Sequence, residues 1–181
     1  MSWFANQGPR FRNTAKYAYR LSIGMASWVP VMIVLNEHVC YFGKIEGSSM
    51  QPTFNPSVRQ QDWVLLWKWG VRDPGRLQVD DVVLFRSPQD PEKVLCKRVK
   101  GVQGDNVFTR HPYPREQCHI PRNHVWVEGD NIHSIDSNTF GPISTGLVLG
   151  KATSIIYPFS RSGSVPKGGR EARVSRLAAY E

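Results

Sequence analysis

Two adjacent serines, Ser48 and Ser49, lie in the segment EGSSMQPTFNP (46–56), directly after the most apolar stretch of the chain. A serine hydroxyl becomes an effective nucleophile only when a neighbouring base removes its proton. No histidine, aspartate or glutamate near them has the spacing of such a base, and the five histidines of the chain show no triad spacing. The segment is therefore either a simple turn or a nucleophile whose base comes from a distant part of the chain.

Lysine is the other base that the sequence offers, and it acts only when it is neutral. Lowering a lysine pKa from about 10.4 to near 7 takes about 4 kcal/mol, which burial among apolar groups can supply. Lys97 lies in the run VLCKRVKGV (94–102), where strand alternation places it on one face with Leu95 and Val99. The pattern alone leaves two alternatives open, a buried base or a charge on an exposed face.

Short β-rich runs, bounded by clusters of Gly, Pro, Asp and Asn, make up most of the chain after residue 40. No helical periodicity of any length occurs there, so we expect a mostly β fold. The proline-containing segment 109–123 is predicted to be an exposed loop. Strands are predicted at 62–69, 80–86, 94–102, 124–130 and 146–158.

The uncharged run 21–35, extended to 17–38, reaches the length of about 20 residues that a membrane-spanning helix needs. Pro30 would kink it, which a membrane span tolerates. The alternative, a buried helix of a soluble protein, would lose about 3 kcal/mol to that proline. The first acidic residue is Glu37, and the basic flank 1–16 predicts that the N-terminus stays on the positive side while the rest of the chain crosses the membrane.

The remaining composition excludes several classes of function. The net charge of +8 is spread along the chain without a stacking-aromatic motif, so we expect no nucleic-acid partner. Three cysteines without a CxxC pair argue against a disulfide scaffold and a cysteine-rich zinc site. We expect no metal and no cofactor. Residues 159–181 are predicted to be a basic, flexible tail, of which 170–181 could form a short surface helix.

Three motifs occur in order: GSSMQPT (47–53), KRVKGVQGD (97–105) and GDNIHSIDSN (129–138). They resemble the nucleophile motif, the lysine motif and the third motif of type I signal peptidases, and the resemblance covers about residues 15–158. Segment 133–152 closely resembles the subunit 2 type of mitochondrial inner membrane peptidase. The resemblance implies a signal-peptidase-like catalytic β-fold at 39–158, with one N-terminal transmembrane helix.

The resemblance also implies a role for each residue that matches a motif. Ser49 would be the nucleophile, its backbone N–H an oxyanion donor, and Lys97 the general base. Ser134 would orient the lysine ammonium. Gly47 departs from enzymes with a hydroxyl residue there, so the second oxyanion donor stays open between a backbone group and Ser48. Further expected site residues are Asp136 in support, with Met50 and Pro52 beside the substrate.

Three positions depart from the family pattern or stay open. Asn138 stands where an arginine would form a salt bridge to Asp136, so that support is expected to come from elsewhere. Asp80 replaces the usual glycine, which suggests a turn that does not need a positive φ. Arg98 is either the family's basic neighbour of the lysine or a solvated charge on the far face.

The predicted function is that of a membrane-anchored Ser/Lys endopeptidase, which removes sorting or signal peptides from precursor proteins directed to the mitochondrial intermembrane space. It would lie in the inner membrane, in contact with lipid, with its catalytic domain facing that space. Its expected partners are a sister catalytic subunit and a small membrane subunit. One alternative is a catalytically silent subunit that stabilises the sister protease. A self-cleaving repressor would carry a DNA-binding domain where this chain has an apolar segment.

Overall fold

The computed structural model describes residues 8–57, 60–73, 75–169 and 174–175. They divide into two compact units, of which the first ends at Val39 and the second begins at Cys40. The first unit is helical and the second carries the β-strands. The predicted end of the anchor, at residue 38, lies beside this division.

The first unit is helical, and its helix is interrupted at Trp28. The helix breaks at Trp28 because Pro30 has no N–H to donate to the preceding turn, and Pro30 instead lies in the first turn of the next segment. Residues Lys16–Val39 are long and apolar enough to cross a membrane, by length and composition. The prediction of a proline-interrupted apolar helix is confirmed. The segments are α1 (Gly8–Ser27), α2 (Val29–Val34) and a π-helical turn (Leu35–Val39).

The second unit is built from antiparallel strands, as the prediction of a mostly β fold requires. The main sheet has the order β1-β2-β9-β3-β4-β7-β8, with β10 added to β9, and a small sheet has the order β11-β5-β6. The strands are β1 (Cys40–Lys44), β2 (Trp63–Trp67), β3 (Val82–Arg86), β4 (Val94–Gly101), β5 (Asn106–Phe108), β6 (Gln117–His119), β7 (His124–Glu128), β8 (Ile143–Ser144), β9 (Val148–Tyr157), β10 (Gly163–Ser164) and β11 (Val174–Ser175). One short helix, α3 (Ser137–Phe140), follows β7.

Apolar side chains cover both faces of the main sheet at its centre. On β3, Val82 and Leu84 pack into one core, whereas Val83 and Phe85 pack into a second core on the other face. Water is thereby excluded from both sides, so a charged side chain on the neighbouring β4 must find its partners inside the protein. The first core comprises Ile45, Met50, Phe54, Val64, Leu66, Val82, Leu84, Ala152 and Ile155. The second comprises Val71, Leu77, Val83, Phe85, Val99, Val125, Val127, Ile143 and Val148.

All five predicted strands are present, but the prediction of an exposed loop at 109–123 is wrong in part. This segment contains β6, and two of its side chains, Cys118 and Ile120, are buried with Trp126 in a third, smaller core. The ring of Tyr113 also packs edge to face on Trp126, with the ring centroids 5.3 Å apart. A three-residue strand between prolines is too short for alternation to reveal it.

The segment that was predicted to be the start of a flexible tail is packed against the main sheet. β10 pairs with β9, and Val165 packs on the first core. The carbonyl oxygens of Pro166 and Gly168 accept hydrogen bonds from side chains of β4. The predicted surface helix at 170–181 lies largely outside the described residues, and its two described residues, Val174 and Ser175, form β11 instead.

The turn before β3 corrects the expectation drawn from the missing glycine. Asp80 has a φ of +74°, so the turn does require the left-handed conformation. Aspartate tolerates this region better than most residues. Here its N–H also donates to the carbonyl oxygen of Val99 at 2.8 Å, and its carboxylate accepts from Lys100 Nζ at 3.2 Å. These contacts hold in place a conformation that glycine would adopt without strain.

Arg98 is fully buried, which decides between the two interpretations of this residue, a basic neighbour of the lysine or a solvated surface charge. Its Nε and Nη2 donate to both carboxylate oxygens of Asp130, at 2.9 and 2.8 Å. The same guanidinium donates to the carbonyl oxygens of Asp80 and Pro166 and to Thr53 Oγ1. The interpretation as a solvated surface charge is therefore wrong. A buried charge is tolerated when its partners saturate its donors, as they do here.

We predict that Arg98→Met strongly destabilises the catalytic domain, because it leaves the carboxylate of Asp130 buried without its cation. The expected loss is about 3–5 kcal/mol in the free energy of unfolding. Chemical unfolding of the full chain in detergent measures it. The control is Arg86→Met at the exposed end of β3, for which we expect a change within about 0.5 kcal/mol. Equal effects of the two substitutions would contradict a structural role for the buried ion pair.

Candidate active site

The predicted nucleophile lies in a tight turn between β1 and β2. Gly47 has a φ of +85°, and the chain then turns at Ser49, with the N–H of Phe54 donating to the carbonyl oxygen of Met50 at 3.0 Å. The side chains of Met50 and Phe54 are buried in the first core. Ser48 is exposed, whereas Ser49 is half-buried. Burial of Met50 and Phe54 thus anchors the turn and leaves Ser49 near the surface.

Two reciprocal hydrogen bonds close the loop that carries this turn. The N–H of Asn55 donates to Asp62 Oδ2 at 2.9 Å, and the N–H of Asp62 donates to Asn55 Oδ1 at 2.8 Å. Asn55 Nδ2 also donates to the carbonyl oxygens of Ile45 and Gly47, on the other side of the turn. Arg161 donates to Asp62 at 2.5 Å, and its second Nη reaches the same loop. The loop is therefore fixed at both ends, although it belongs to no sheet.

Lys97 is buried on β4, as the catalytic interpretation requires. It is 2% exposed, and desolvation lowers the pKa of its ammonium below the ordinary value, while the charges of Asp136 and Asp130 act in the opposite direction. Its Nζ donates to Ser134 Oγ at 2.5 Å. In the part of the chain that the structure describes, Ser49 Oγ has no hydrogen-bond partner.

Gly129 is the contact point between the predicted nucleophile and the partner of the lysine. A Cβ built on Gly129 would stand 2.1 Å from Ser134 Oγ and 2.6 Å from the carbonyl oxygen of Ser49. Both groups therefore pack directly on the glycine backbone, and no larger residue fits there. Gly129 thus lies between the backbone of Ser49 and the side chain of Ser134, to which Lys97 is bonded.

Asn131 joins the nucleophile turn to the loop that follows β7. Its N–H donates to the carbonyl oxygen of Ser49 at 3.0 Å, and its Nδ2 donates to that of Ser48 at 3.0 Å. Its own carbonyl oxygen accepts from the N–H of Ser134 at 3.1 Å. Asn131 thus bonds the carbonyl oxygens of Ser48 and Ser49 and also the backbone N–H of Ser134, the partner of Lys97.

Asp136 supports this loop, and Asn138 supports Asp136. One carboxylate oxygen of Asp136 caps α3 by accepting from the N–H of Asn138 at 3.0 Å, and the other accepts from that of Gly129 at 3.3 Å. Asn138 Nδ2 donates to Asp136 Oδ1 at 2.9 Å and to Glu128 Oε1 at 3.2 Å. The expectation that this support comes from elsewhere is therefore wrong. An amide hydrogen bond takes the place that the family's salt bridge would occupy.

Ser134 also borders a cavity. A cavity of about 560 Å³ is bounded by Ser134 and Asp136 and by the connection between β5 and β6. That connection is tied to the site because the N–H of Arg110 donates to Asn138 Oδ1 at 2.7 Å. A second cavity of about 530 Å³ is lined by none of the predicted site residues.

The remaining predicted residues have definite positions but untested roles. Met50 is 2% exposed and packs in the first core, so its predicted contact with substrate stays a prediction, as does that of exposed Pro52. Ser48 contributes its carbonyl oxygen to the bond with Asn131, while its side chain is exposed. Burial raises the pKa of the Cys96 thiol to about 12, so this neighbour of the lysine stays protonated at neutral pH.

The family model for signal peptidases, described as "Signal peptidase, peptidase S26", matches residues 19–112, a range that includes Ser49 and Lys97. The chain belongs to the S26 signal peptidase family. It is 52% identical to the mitochondrial inner membrane protease subunit 2 of Saccharomyces cerevisiae, over 93% of this chain and 97% of that protein. The corresponding subunit of Schizosaccharomyces pombe is 46% identical, over 91% of each chain. The predicted resemblance is confirmed, and this signal peptidase is a serine hydrolase.

The similarity is weaker to a protein named subunit 1. The mitochondrial inner membrane protease subunit 1 of Homo sapiens is 35% identical, over 72% of this signal peptidase and 83% of that protein. The family model ends at residue 112, so Gly129, Ser134 and Asp136 lie beyond the range that it matches.

Four residues whose hydrogen bonds hold the site together were not identified from the sequence: Asn55, Asp62, Asn131 and Arg161. Asn131 belongs to the third motif, so the motif was a signal, but its two bonds to the nucleophile turn were not foreseeable. Asn55 has a φ of +51°, and an asparagine near a proline-rich turn is an ordinary turn residue. Arg161 lies far along the chain in the predicted tail, so only the fold reveals its contact with Asp62.

We predict that Gly129→Ala abolishes most of the activity of this signal peptidase, because the new methyl group would displace Ser134 or the carbonyl group of Ser49. Misplacement by about 1 Å costs on the order of a hundredfold in rate. The control is Gly146→Ala, whose Cβ would meet its nearest atom at an ordinary 3.5 Å. Cleavage of a precursor protein by purified full chain measures both. Equal rates for the two variants would contradict the close packing at Gly129.

Proposed function

We propose that this chain is a membrane-anchored peptidase with a Ser/Lys dyad, and that it removes sorting or signal peptides from precursors directed to the mitochondrial intermembrane space. One observation carries the proposal: Lys97 is 2% exposed, its pKa is lowered by desolvation, and its Nζ is bonded to Ser134, which packs against the same glycine as Ser49. A lysine in such surroundings is suited to work as a neutral base.

The first chemical step uses the lone pair of neutral Lys97. Ser134 Oγ accepts one N–H of the amine, which orients Nζ so that its lone pair can take the proton of Ser49 Oγ. Lys97 Nζ is bonded to Ser134 Oγ, and Ser49 Oγ has no hydrogen-bond partner among the described residues. In the proposed mechanism, Nζ therefore moves to within hydrogen-bond distance of Ser49 Oγ when the substrate binds. Ser49 Oγ then attacks the carbonyl carbon of the scissile peptide bond and forms a tetrahedral oxyanion.

The second step returns the proton to the leaving group. Protonated Lys97 donates it to the amine nitrogen as the C–N bond breaks, which releases the mature protein as the amine and leaves the removed peptide bound to Ser49 Oγ as an ester. Neutral Lys97 then takes a proton from water, the resulting hydroxide attacks the ester, and Lys97 gives the proton back to Ser49 Oγ. The backbone N–H of Ser49 serves as one oxyanion donor. Ser48 or a backbone group would serve as the second, since Gly47 has no side chain.

The apolar helix Lys16–Val39 anchors the catalytic domain in the proposed function. Basic residues precede it and Glu37 comes near its end, so the positive-inside rule favours a catalytic domain on the far side, in the intermembrane space. The relatives are mitochondrial inner membrane proteases by name, which supports the inner membrane as the location. A single-pass protein in that membrane would meet its precursors where they emerge from the lipid.

Assembly with other subunits is part of the proposal. The relatives are named as subunits 1 and 2 of a protease, which supports a complex of this chain with a sister catalytic subunit. A small membrane subunit would be the third component.

We predict that Ser49→Ala and Lys97→Met abolish processing. Cells that lack this chain are given either variant or the wild type, and mature N-termini of inner-membrane and intermembrane-space proteins are compared by mass spectrometry. We expect a set of precursors that only the wild type matures. Ser57→Ala and Lys93→Met, both exposed, are matched controls that should restore processing. If Ser49→Ala restored it within the complex, the chain would be a silent stabilising subunit instead.

The pH dependence of kcat/KM tests the state of the lysine. Activity needs neutral Lys97, so we expect it to rise with pH through an acid limb that lies below the ordinary lysine pKa of 10.5. The charge of Asp136 raises the pKa of Lys97, so Asp136→Asn should shift the limb to lower pH. A limb at the ordinary lysine pKa, or a shift in the other direction, would argue against a desolvated base.

A further inference from the structure

The segment Gly163–Gly169, here called the C-terminal strap, packs on the catalytic domain far from the nucleophile in sequence. β10 pairs with β9, the N–H of Val165 donates to the carbonyl oxygen of Thr153 at 3.3 Å, and Val165 packs on the first core. The family model ends at residue 112, so this segment lies outside the range it matches. The strap is therefore fixed to the main sheet by backbone pairing and by one buried side chain.

The strap supplies backbone acceptors to two buried cations of β4. The carbonyl oxygen of Pro166 accepts from Arg98 Nη1 at 3.1 Å, and that of Gly168 accepts from Lys100 Nζ at 3.0 Å. Arg98 is 0% exposed and Lys100 is 3% exposed. Buried cations are stable only when their remaining donors are satisfied. The carboxylates of Asp130 and Asp80 accept some of the N–H donors of Arg98 and Lys100, and the carbonyl oxygens of the strap accept one more from each.

Gly169 lies directly against the ion pair of Arg98 and Asp130. A Cβ on Gly169 would stand 2.1 Å from Asp130 Oδ1 and 2.9 Å from Arg98 Nε. Its φ of +86° is also one that favours glycine. The backbone of the strap at Gly169 therefore packs on the ion pair so closely that no side chain fits between them.

The covered ion pair joins the two pieces of chain that carry the catalytic groups. Arg98 follows Lys97 on β4, and Asp130 follows Gly129, which packs on Ser134 and on the carbonyl oxygen of Ser49. The side chain of Arg98 leaves β4 on the face opposite to that of Lys97. The strap thus acts from behind the strand and not from the side on which Lys97 meets Ser134.

We propose that the C-terminal strap is a positioning element of the catalytic centre, which keeps the Arg98–Asp130 pair dry and thereby holds Lys97 in register with Gly129 and Ser134. The proposal rests on the proposed Ser/Lys function. Without the strap, water reaches the pair and weakens it. β4 and the loop after β7 then move relative to each other, and the geometry of the dyad degrades while the substrate surface stays unchanged.

Two glycines with the same φ give a matched test. Gly169→Ala places a methyl group on Asp130, whereas Gly104→Ala, also at a φ of +86°, places one in open space. Both variants place a side chain at the same positive φ, so a difference between them reports the contact with the ion pair. In purified full chain, we expect Gly169→Ala to lower kcat about ten- to hundredfold with KM within about twofold, and Gly104→Ala to leave both near wild type.

Two truncated chains test the proposal if the strap shifts to accommodate the new methyl group without loss of activity. Chains that end after Val165 and after Gly169 differ only in residues 166–169, and only the shorter one should lose kcat. Hydrogen exchange at the amides of β4 should be faster in that chain at a temperature where both are folded. Unchanged kcat in the shorter chain, with or without faster exchange, would overturn the positioning role, as would a loss that merely follows the folded fraction. A Ser49→Ala chain that still cleaves would instead overturn the proposed function.

Discussion

A lysine serves as a base only where its surroundings disfavour its charge, and β4 provides such surroundings for three cations at once. Two apolar cores exclude water from both faces of the sheet at this strand. Arg98 and Lys100 are bonded to the carboxylates of Asp130 and Asp80, so they gain back in ion pairs what they lose in hydration. Lys97 is bonded to a hydroxyl instead. Burial disfavours the charge of all three side chains, and a carboxylate partner compensates for it at Arg98 and Lys100 but not at Lys97.

Two asparagine side chains bond the backbone of the nucleophile turn itself, whereas the ion pair of Asp62 and Arg161 fixes the longer loop that carries it. Asn55 ties its two ends together, and Asn131 donates to the carbonyl groups of Ser48 and Ser49. An asparagine side chain offers a donor and an acceptor without net charge. Charged groups in the same positions would act on the pKa of Lys97 across a medium of low dielectric constant. Neutral hydrogen bonds position the serine and leave the electrostatic balance at the lysine to be set by burial and by the acids behind it.

Much of the site could be predicted from the sequence because motif and strand pattern agreed. The strand pattern left Lys97 either buried or exposed, and the lysine motif favoured the buried alternative that the structure shows. Ser49 lies two residues after Gly47 in a turn. The failures have a different physical origin. Asp80 adopts a positive φ because contacts with residues far along the chain hold it there. Polar, glycine-rich composition made the C-terminal strap look like a tail, yet its glycines are what allows the backbone to approach a buried ion pair. Such contacts exist only once the fold has formed.

The asparagine at position 138 has a consequence for the base as well as for the loop. An arginine there would neutralise Asp136, as Arg98 neutralises Asp130, whereas the Asn138 amide holds the carboxylate without cancelling its charge. Asp136 is accordingly the strongest of the charges that raise the pKa of Lys97, ahead of Asp130. Burial and Asp136 therefore act on the lysine in opposite directions. Desolvation is the larger of the two, so the pKa of Lys97 lies below its ordinary value.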